Sequence, residues 1–309
     1  TKNMNGLTSK VLMIRPYSFH KNEETAKNNY YQKDLSDQGK EVTTQAAQAE
    51  FDAFAAILKE EGIEVIVHQD TEEYETPDSL FPNNWISFHP QHKAILYPMF
   101  AINRRLERNP KVLATLQKAY GSIAIIADYS EGEKEGLFLE GTGSMVLDRE
   151  HKIAYAALSE RTDSSLLHRF CKEQGFEPMA FHSYQTVGSQ RLPIYHTNVM
   201  MSIGPTFAVI GLDTLDRPEE KVAVLAKLET TGKEVVVLSE AQINQFAGNM
   251  LTLKGQDGPL LVMSSAAYHS LTTEQIQCLE SHAKLIHSPL TTIEHCGGGS
   301  ARCMLAELF

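Results

Sequence analysis

Short apolar runs recur along the chain, separated by stretches with apolar residues at helical spacing. Residues 10–15 form the first run. Residues 17–40 are polar, rich in Asn, Lys and Glu, and show no periodicity. A segment of that length without structure of its own is uncommon inside a compact domain, so it reads either as a lid over a site or as a solvated excursion. A helix over 41–62 follows, with Phe51, Phe54, Ala55 and Leu58 on one face and Gly62 as its stop, and then a strand over 63–67.

From residue 79 onward one order of elements repeats: two strands, a helix, one more strand. Strands over 85–88 and 94–97 precede a helix over 104–120 and a strand over 122–127. The next unit has strands at 144–147 and 152–156, a helix at 163–174 and a strand at 176–181. A third has 198–203, 206–211, a helix at 217–230 and 234–238; a fourth has 250–253, 260–263, a helix at 272–284 and 284–287. The helices begin near 104, 163, 217 and 272, a spacing regular enough to define a structural repeat. A fifth unit is complete only if a strand over 303–309 joins the N-terminal strand, helix and strand. Five such units predict a closed ring without exposed sheet edges, whereas an open doubly wound sheet expects single strands between helices. In a ring the starts of the first strands converge, bringing Asn84, Glu140, His196, Asn249 and Cys303 toward one pocket.

Composition narrows the class. With 42% hydrophobic and 22% charged residues, the 309-residue chain reads as one globular unit, and a net charge of -11 with no basic cluster argues against a nucleic-acid partner. No apolar run approaches the roughly 20 residues of a membrane helix, and a cytoplasmic location is the default expectation. Oligomeric state is not legible, and a homo-oligomer stays open.

The four cysteines, at 171, 278, 296 and 303, show no paired metal-type spacing and are too few for a disulfide framework. A metal site from His287, His295, Cys296 and Cys303 is conceivable but fits no familiar zinc pattern. Cys303 stands apart because it follows the glycine run Gly297-Gly-Gly299 and adjoins Arg302, a cation that would favour a thiolate. It reads as a nucleophile or as a buried cysteine beside a tight turn. His196 opens an apolar run at a strand end, and Glu140 lies between apolar residues and glycines; together with Cys303 they could supply nucleophile, proton carrier and orienting carboxylate. Asp78, Asn83 and Asn84 form a polar cluster in apolar surroundings, readable as a binding site or as turn residues.

With these residues identified, the chain resembles the arginine deiminase and amidinotransferase superfamily, the pentein fold, an α/β propeller of five ββαβ units about a pseudo-fivefold axis. Gly297-Gly-Gly-Ser-Ala-Arg-Cys-Met304 is similar to its nucleophile motif, Leu139-Glu-Gly-Thr-Gly143 to its Glu-Gly-Gly-Asp motif, His196-Thr-Asn198 to its His-x-Asp, and Ala157-Leu-Ser-Glu-Arg-Thr162 to its Ser-x-Arg-Thr. Within it the chain looks most like the citrulline-utilisation hydrolases. The resemblance implies a single catalytic domain over 1–309 that acts on a small amino-acid substrate without metal or cofactor. It implies that Cys303 attacks the central carbon of a guanidinium or ureido group, His196 moves protons, and Glu140 holds His196 and substrate nitrogens. It further implies that Arg161 pairs with a substrate carboxylate and Asp78 touches the planar end, with Asn83, Asn84, Asn198 and Arg302 at the site. Arg104, Arg105 and Arg191 are further carboxylate candidates.

Two departures bear on the substrate. Arginine deiminases commonly carry aspartates where this chain has Asn84 and Asn198, and Gly143 replaces the usual aspartate of the second motif. Burying a guanidinium without counter-charges is costly, whereas amides both donate to a ureido oxygen and accept from its nitrogens. The expected substrate is therefore citrulline, cleaved to ornithine, carbon dioxide and ammonia. Amidine hydrolysis, amidinotransfer to an added amine, and a non-enzymatic pentein-fold binding protein are the alternatives.

Overall fold

The computed structural model describes residues 2–33 and 39–309. The described residues form a mixed α/β fold built on five small three-stranded sheets with one connection pattern. In the first, β1 (Lys10–Arg15) pairs in parallel with β2 (Glu64–Gln69), and β17 (Ala306–Glu307) adds antiparallel to β1 with Leu12 opposite Ala306. The second sheet runs β3 (Ile86–His89), β4 (Lys93–Leu96), β5 (Ala124–Asp128), and the third β6 (Val146–Asp148), β7 (Ile153–Ala157), β8 (Glu177–Phe181). After a hairpin of β9 (Tyr184–Val187) and β10 (Gln190–Pro193), the fourth runs β11 (Met201–Ile203), β12 (Phe207–Ile210), β13 (Glu234–Val237). The fifth runs β14 (Leu251–Gly255), β15 (Gly258–Ser264), β16 (Lys284–Ser288). In each, the first strand is antiparallel to the second and the second parallel to the third.

The central strands are buried on both faces. Side chains of a strand point alternately to its two faces. Val11 and Met13 enter one core with Phe51, Phe54 and Leu58, while Leu12 and Ile14 enter another with Trp85, Phe88 and Leu116. Leu260 and Val262 of β15 divide from Leu261 and Met263 in the same way. Ala154 and Ala156 of β7 separate likewise from Ile153, Tyr155 and Ala157. A strand buried on both faces has no polar side to show in sequence. Each unit thus packs on its own helix and on the unit beside it.

The expected elements stand with corrections at their ends. The helix expected over 104–120 is two, Ile102–Arg105 and Pro110–Tyr120, because Asn109 caps the second by accepting from Lys111 N and Pro110 occupies its first turn. The helix expected over 272–284 is Thr273–Glu280. The expected strand over 303–309 is only β17, since Arg302–Met304 is a 3-10 turn. The polar stretch after residue 17 is packed rather than solvated through residue 33: Phe19, Asn22, Thr25, Asn28, Asn29 and Tyr31 are buried, and Glu23–Ala26 is helical. Residues 34–38 of that stretch lie outside the described residues. Among the described residues, no helix is long and apolar enough to cross a membrane.

Candidate active site

Short turns stand at the head of several first strands and pack against one another: Pro82–Asn84 before β3, Gly141–Ser144 before β6, Thr197–Val199 before β11 and Arg302–Met304 before β17. Side-chain hydroxyls tie them together. Glu140 N donates to Ser144 Oγ, which donates to Arg161 O, and Thr197 Oγ1 donates to Ser144 O while accepting from Ala157 N. This lattice fixes the segment carrying His196 against the segment carrying Glu140.

The two side chains meet at 2.6 Å, Nε2 to Oε1, each about 1% exposed. Burial alone would raise the Glu140 carboxyl, but the Arg161 guanidinium and the His196 bond bring it well below its usual range. Burial also lowers the His196 imidazole, against the raising effect of Glu140. The pair therefore holds an ionised carboxylate accepting from Nε2–H of a neutral imidazole, which leaves Nδ1 as the basic nitrogen.

Nδ1 faces Gly143. A Cβ on that glycine would lie 2.3 Å from Asn84 Nδ2 and 2.8 Å from His196 Nδ1, so the absence of a side chain lets an amide and an imidazole border one point. The position at which the resembled family usually carries an aspartate has no room for one beside these two groups.

Cys303 is 3% exposed, and its sulfur receives two amides, Asn249 Nδ2 at 3.3 Å and Asn198 Nδ2 at 3.6 Å. Asn249 marks a unit start in the sequence but belongs to no motif, and its place on the sulfur was not anticipated. Its Oδ1 accepts from Arg302 N and its Nδ2 also donates to Asn198 O, so it braces both neighbours. The glycine run bends the chain into Cys303: Gly298 has φ +64°, and a Cβ there would lie 2.5 Å from the Asn29 amide, which donates to Gly297 O and Gly298 O.

Asp78, Asn83 and Asn84 are all buried, and the Asp78 Oδ1, both amide atoms of Asn83 and the Nδ2 of Asn84 have no hydrogen-bond partner. Buried polar atoms are nearly always paired with protein or with water, so these four offer hydrogen-bonding positions to a polar ligand or to water. Arg161 lies beside Glu140 at 3.7 Å and over the Tyr195 ring at 4.7 Å. Its Nε donates to Asn28 Oδ1 and its Nη2 to Thr25 O, so the segment around 22–29 covers it and occupies donors expected for a substrate carboxylate. Asn22 and Thr25 also donate to Asp78 Oδ2.

The other arginines are engaged within the protein. Arg302 turns its guanidinium to Leu305 O and Glu307. Arg104 grips Glu107 and Asn84, Arg105 binds Met99 O, and Arg191 binds Asp216 and Glu240 on the surface. Among the described residues, the group of His, Cys, Asp or Glu whose ligand atoms lie within 4.8 Å of one another is Glu234, Cys278 and His282, and it includes none of His287, His295, Cys296 and Cys303.

The fold and sequence have relatives. The N-terminal domain of ArgZ, an arginine dihydrolase from the ornithine-ammonia cycle in cyanobacteria, solved as a mutant bound to substrate, superposes with TM-score 0.72 at 15% identity, covering 97% of this chain and 98% of that one.

 The chain spans 39% of full-length ArgZ, with TM-score 0.68 at 14% identity over 96% of this chain. A dimethylarginine dimethylaminohydrolase adduct with S-methyl-L-thiocitrulline superposes with TM-score 0.63 at 13% identity, covering 97% of this chain and 99% of that one. At such identities these likenesses speak for the fold. No sequence among curated proteins matches the chain. The sequence profile of the family described as N,N dimethylarginine dimethylhydrolase, eukaryotic, matches residues 15–309, and the chain therefore belongs to that family, within the pentein and amidinotransferase superfamily.

Proposed function

We propose that the chain is a cysteine hydrolase of a neutral ureido substrate, citrulline, releasing ornithine, carbon dioxide and ammonia. The five sheets are read as a ring of ββαβ units forming one catalytic domain, with the turns at the strand heads gathered on its axis. The observation that carries the substrate assignment is the Asn84 amide. Its Oδ1 accepts from Arg104 Nη1 at 2.8 Å, so the unpartnered atom beside His196 and Gly143 is the donor Nδ2. A ureido oxygen accepts from that N–H, whereas a guanidinium offers only donors.

In the proposed reaction His196 takes the Cys303 proton and the sulfur adds to the ureido carbon. The bond from that carbon to the ornithine nitrogen breaks as His196 returns the proton to the leaving amine, leaving an S-carbamoyl cysteine. Water, losing a proton to His196, then adds to the carbamoyl carbon; the C–S bond breaks, the sulfur regains the proton, and the carbamic acid decays to carbon dioxide and ammonia.

A second reading, hydrolysis of a guanidino or methylated guanidino group, is favoured by the matched family and by the unpaired carboxylate oxygen of Asp78. Separate incubations with citrulline, arginine and N,N-dimethylarginine decide between them. Ornithine and a carbamoyl adduct on Cys303 are expected from citrulline; turnover of a guanidino compound alone would replace the first reading with the second.

A further inference from the structure

We infer that Arg104 is a positioning residue that sets substrate selectivity by fixing which end of the Asn84 amide faces the site. The inference rests on the ureido reading given above.

Arg104 is buried, and its guanidinium is nearly saturated by the protein. Nε and Nη2 form a two-bond fork on Glu107, at 2.8 and 3.0 Å, and Nη2 also lies 2.9 Å from Phe81 O. Nη1 donates to Asn84 Oδ1. Arginine has no acceptor, so Asn84 can meet it only through oxygen. The amide is thereby locked with its N–H pair on the opposite side, where Nδ2 has no partner. Asn83, next in the chain, has no such anchor on either amide atom.

Glu107 supplies the counter-charge for the buried guanidinium, and Asp78 Oδ2 adds a second carboxylate 4.0 Å from Nε. The cation is thus held by protein groups and is not free to receive a substrate carboxylate. Without it, Asn84 could present either its oxygen or its nitrogen, and the site would lose its preference for a carbonyl over an amidinium.

The test compares kcat/KM for citrulline and arginine in the wild type, Arg104→Met, Arg104→Lys and Asn84→Asp. Arg104→Met is expected to lower the citrulline-to-arginine ratio by about tenfold or more, with Arg104→Lys restoring much of it. A carboxylate-free alkylurea separates positioning from carboxylate binding: the Arg104→Met loss should persist on it. If Arg104→Met fails to fold, Asn84→Asp decides, since it keeps an oxygen for Arg104 and puts a second oxygen where the N–H was; the ratio should move toward arginine. An unchanged ratio in the folded variants, or a loss that vanishes on the alkylurea, overturns the inference. Wild-type protein that does not act on citrulline overturns the ureido reading instead, before any variant is compared.

Discussion

Asn249 places its amide nitrogen 3.3 Å from the sulfur of Cys303 while its oxygen accepts from the Arg302 N–H at 3.1 Å. The backbone contact fixes the orientation of the amide, so the group directed at sulfur is a donor, which a thiolate accepts. Asn249→Ala should lower kcat by roughly 10- to 1000-fold, as loss of a donor at a developing charge does, and Asn249→Asp should cost more by placing an anion against the sulfur. Turnover and the rate of Cys303 alkylation by iodoacetamide report it. Alkylation at the wild-type rate in both variants would count against the role.

On the proposed mechanism, the neutral state of His196 should set the acid limb of activity. Burial draws its imidazole down to about 4, with Glu140 opposing. A protonated imidazole cannot accept, so activity is present above that pKa and lost as pH falls through it. The acid limb of kcat/KM should lie below the ordinary imidazole value of about 6.5. A limb centred on the ordinary value would show that His196 is not the base, or is not buried as described.

Gly143→Ala tests the meeting of Asn84 and His196. Its Cβ would sit 2.3 Å from one and 2.8 Å from the other, so at least one must move. A fall in kcat/KM of about 100-fold is expected, because small misplacements at reacting groups are costly. Steady-state kinetics with a thermal melt to confirm folding make the measurement; full activity in a folded variant contradicts the geometry.

Glu294 makes stability depend on pH. Burial pushes its carboxyl up to about 7, with the Ser300 and Ser264 hydrogen bonds opposing, from an ordinary 4.5. The folded state therefore favours the neutral carboxyl, and this group's contribution declines as pH rises from about 4.5 to 7, by at most on the order of 3 kcal/mol. Glu294→Gln should flatten the fall in melting temperature over that range. Parallel wild-type and variant curves would exclude it.

The repeat and the residues at the unit starts were legible because short apolar runs and helical spacing recur in one order along the chain. Other features were not. The segment containing Asn22, Asn28 and Asn29 is polar in composition yet buried, since its amides pair with Asp78, Arg161 and glycine carbonyls rather than with water. The β9 and β10 hairpin is partly exposed and lacks an apolar run, so periodicity does not reveal it. Asn109 and Pro110 carry a cap signal for the break in the 104–120 helix that the expectation of one helix passed over. Asn249 carries no motif, and only the fold shows that it reaches the sulfur.

The strand pair Leu12 and Ala306 joins the opening segment to the one bearing the sulfur. Cutting the chain after Ala301 would strip an edge from the first sheet and delete the Cys303 thiol together. On the proposed mechanism, truncation there cannot yield a silenced but otherwise intact decoy; that outcome needs a side-chain exchange at Cys303.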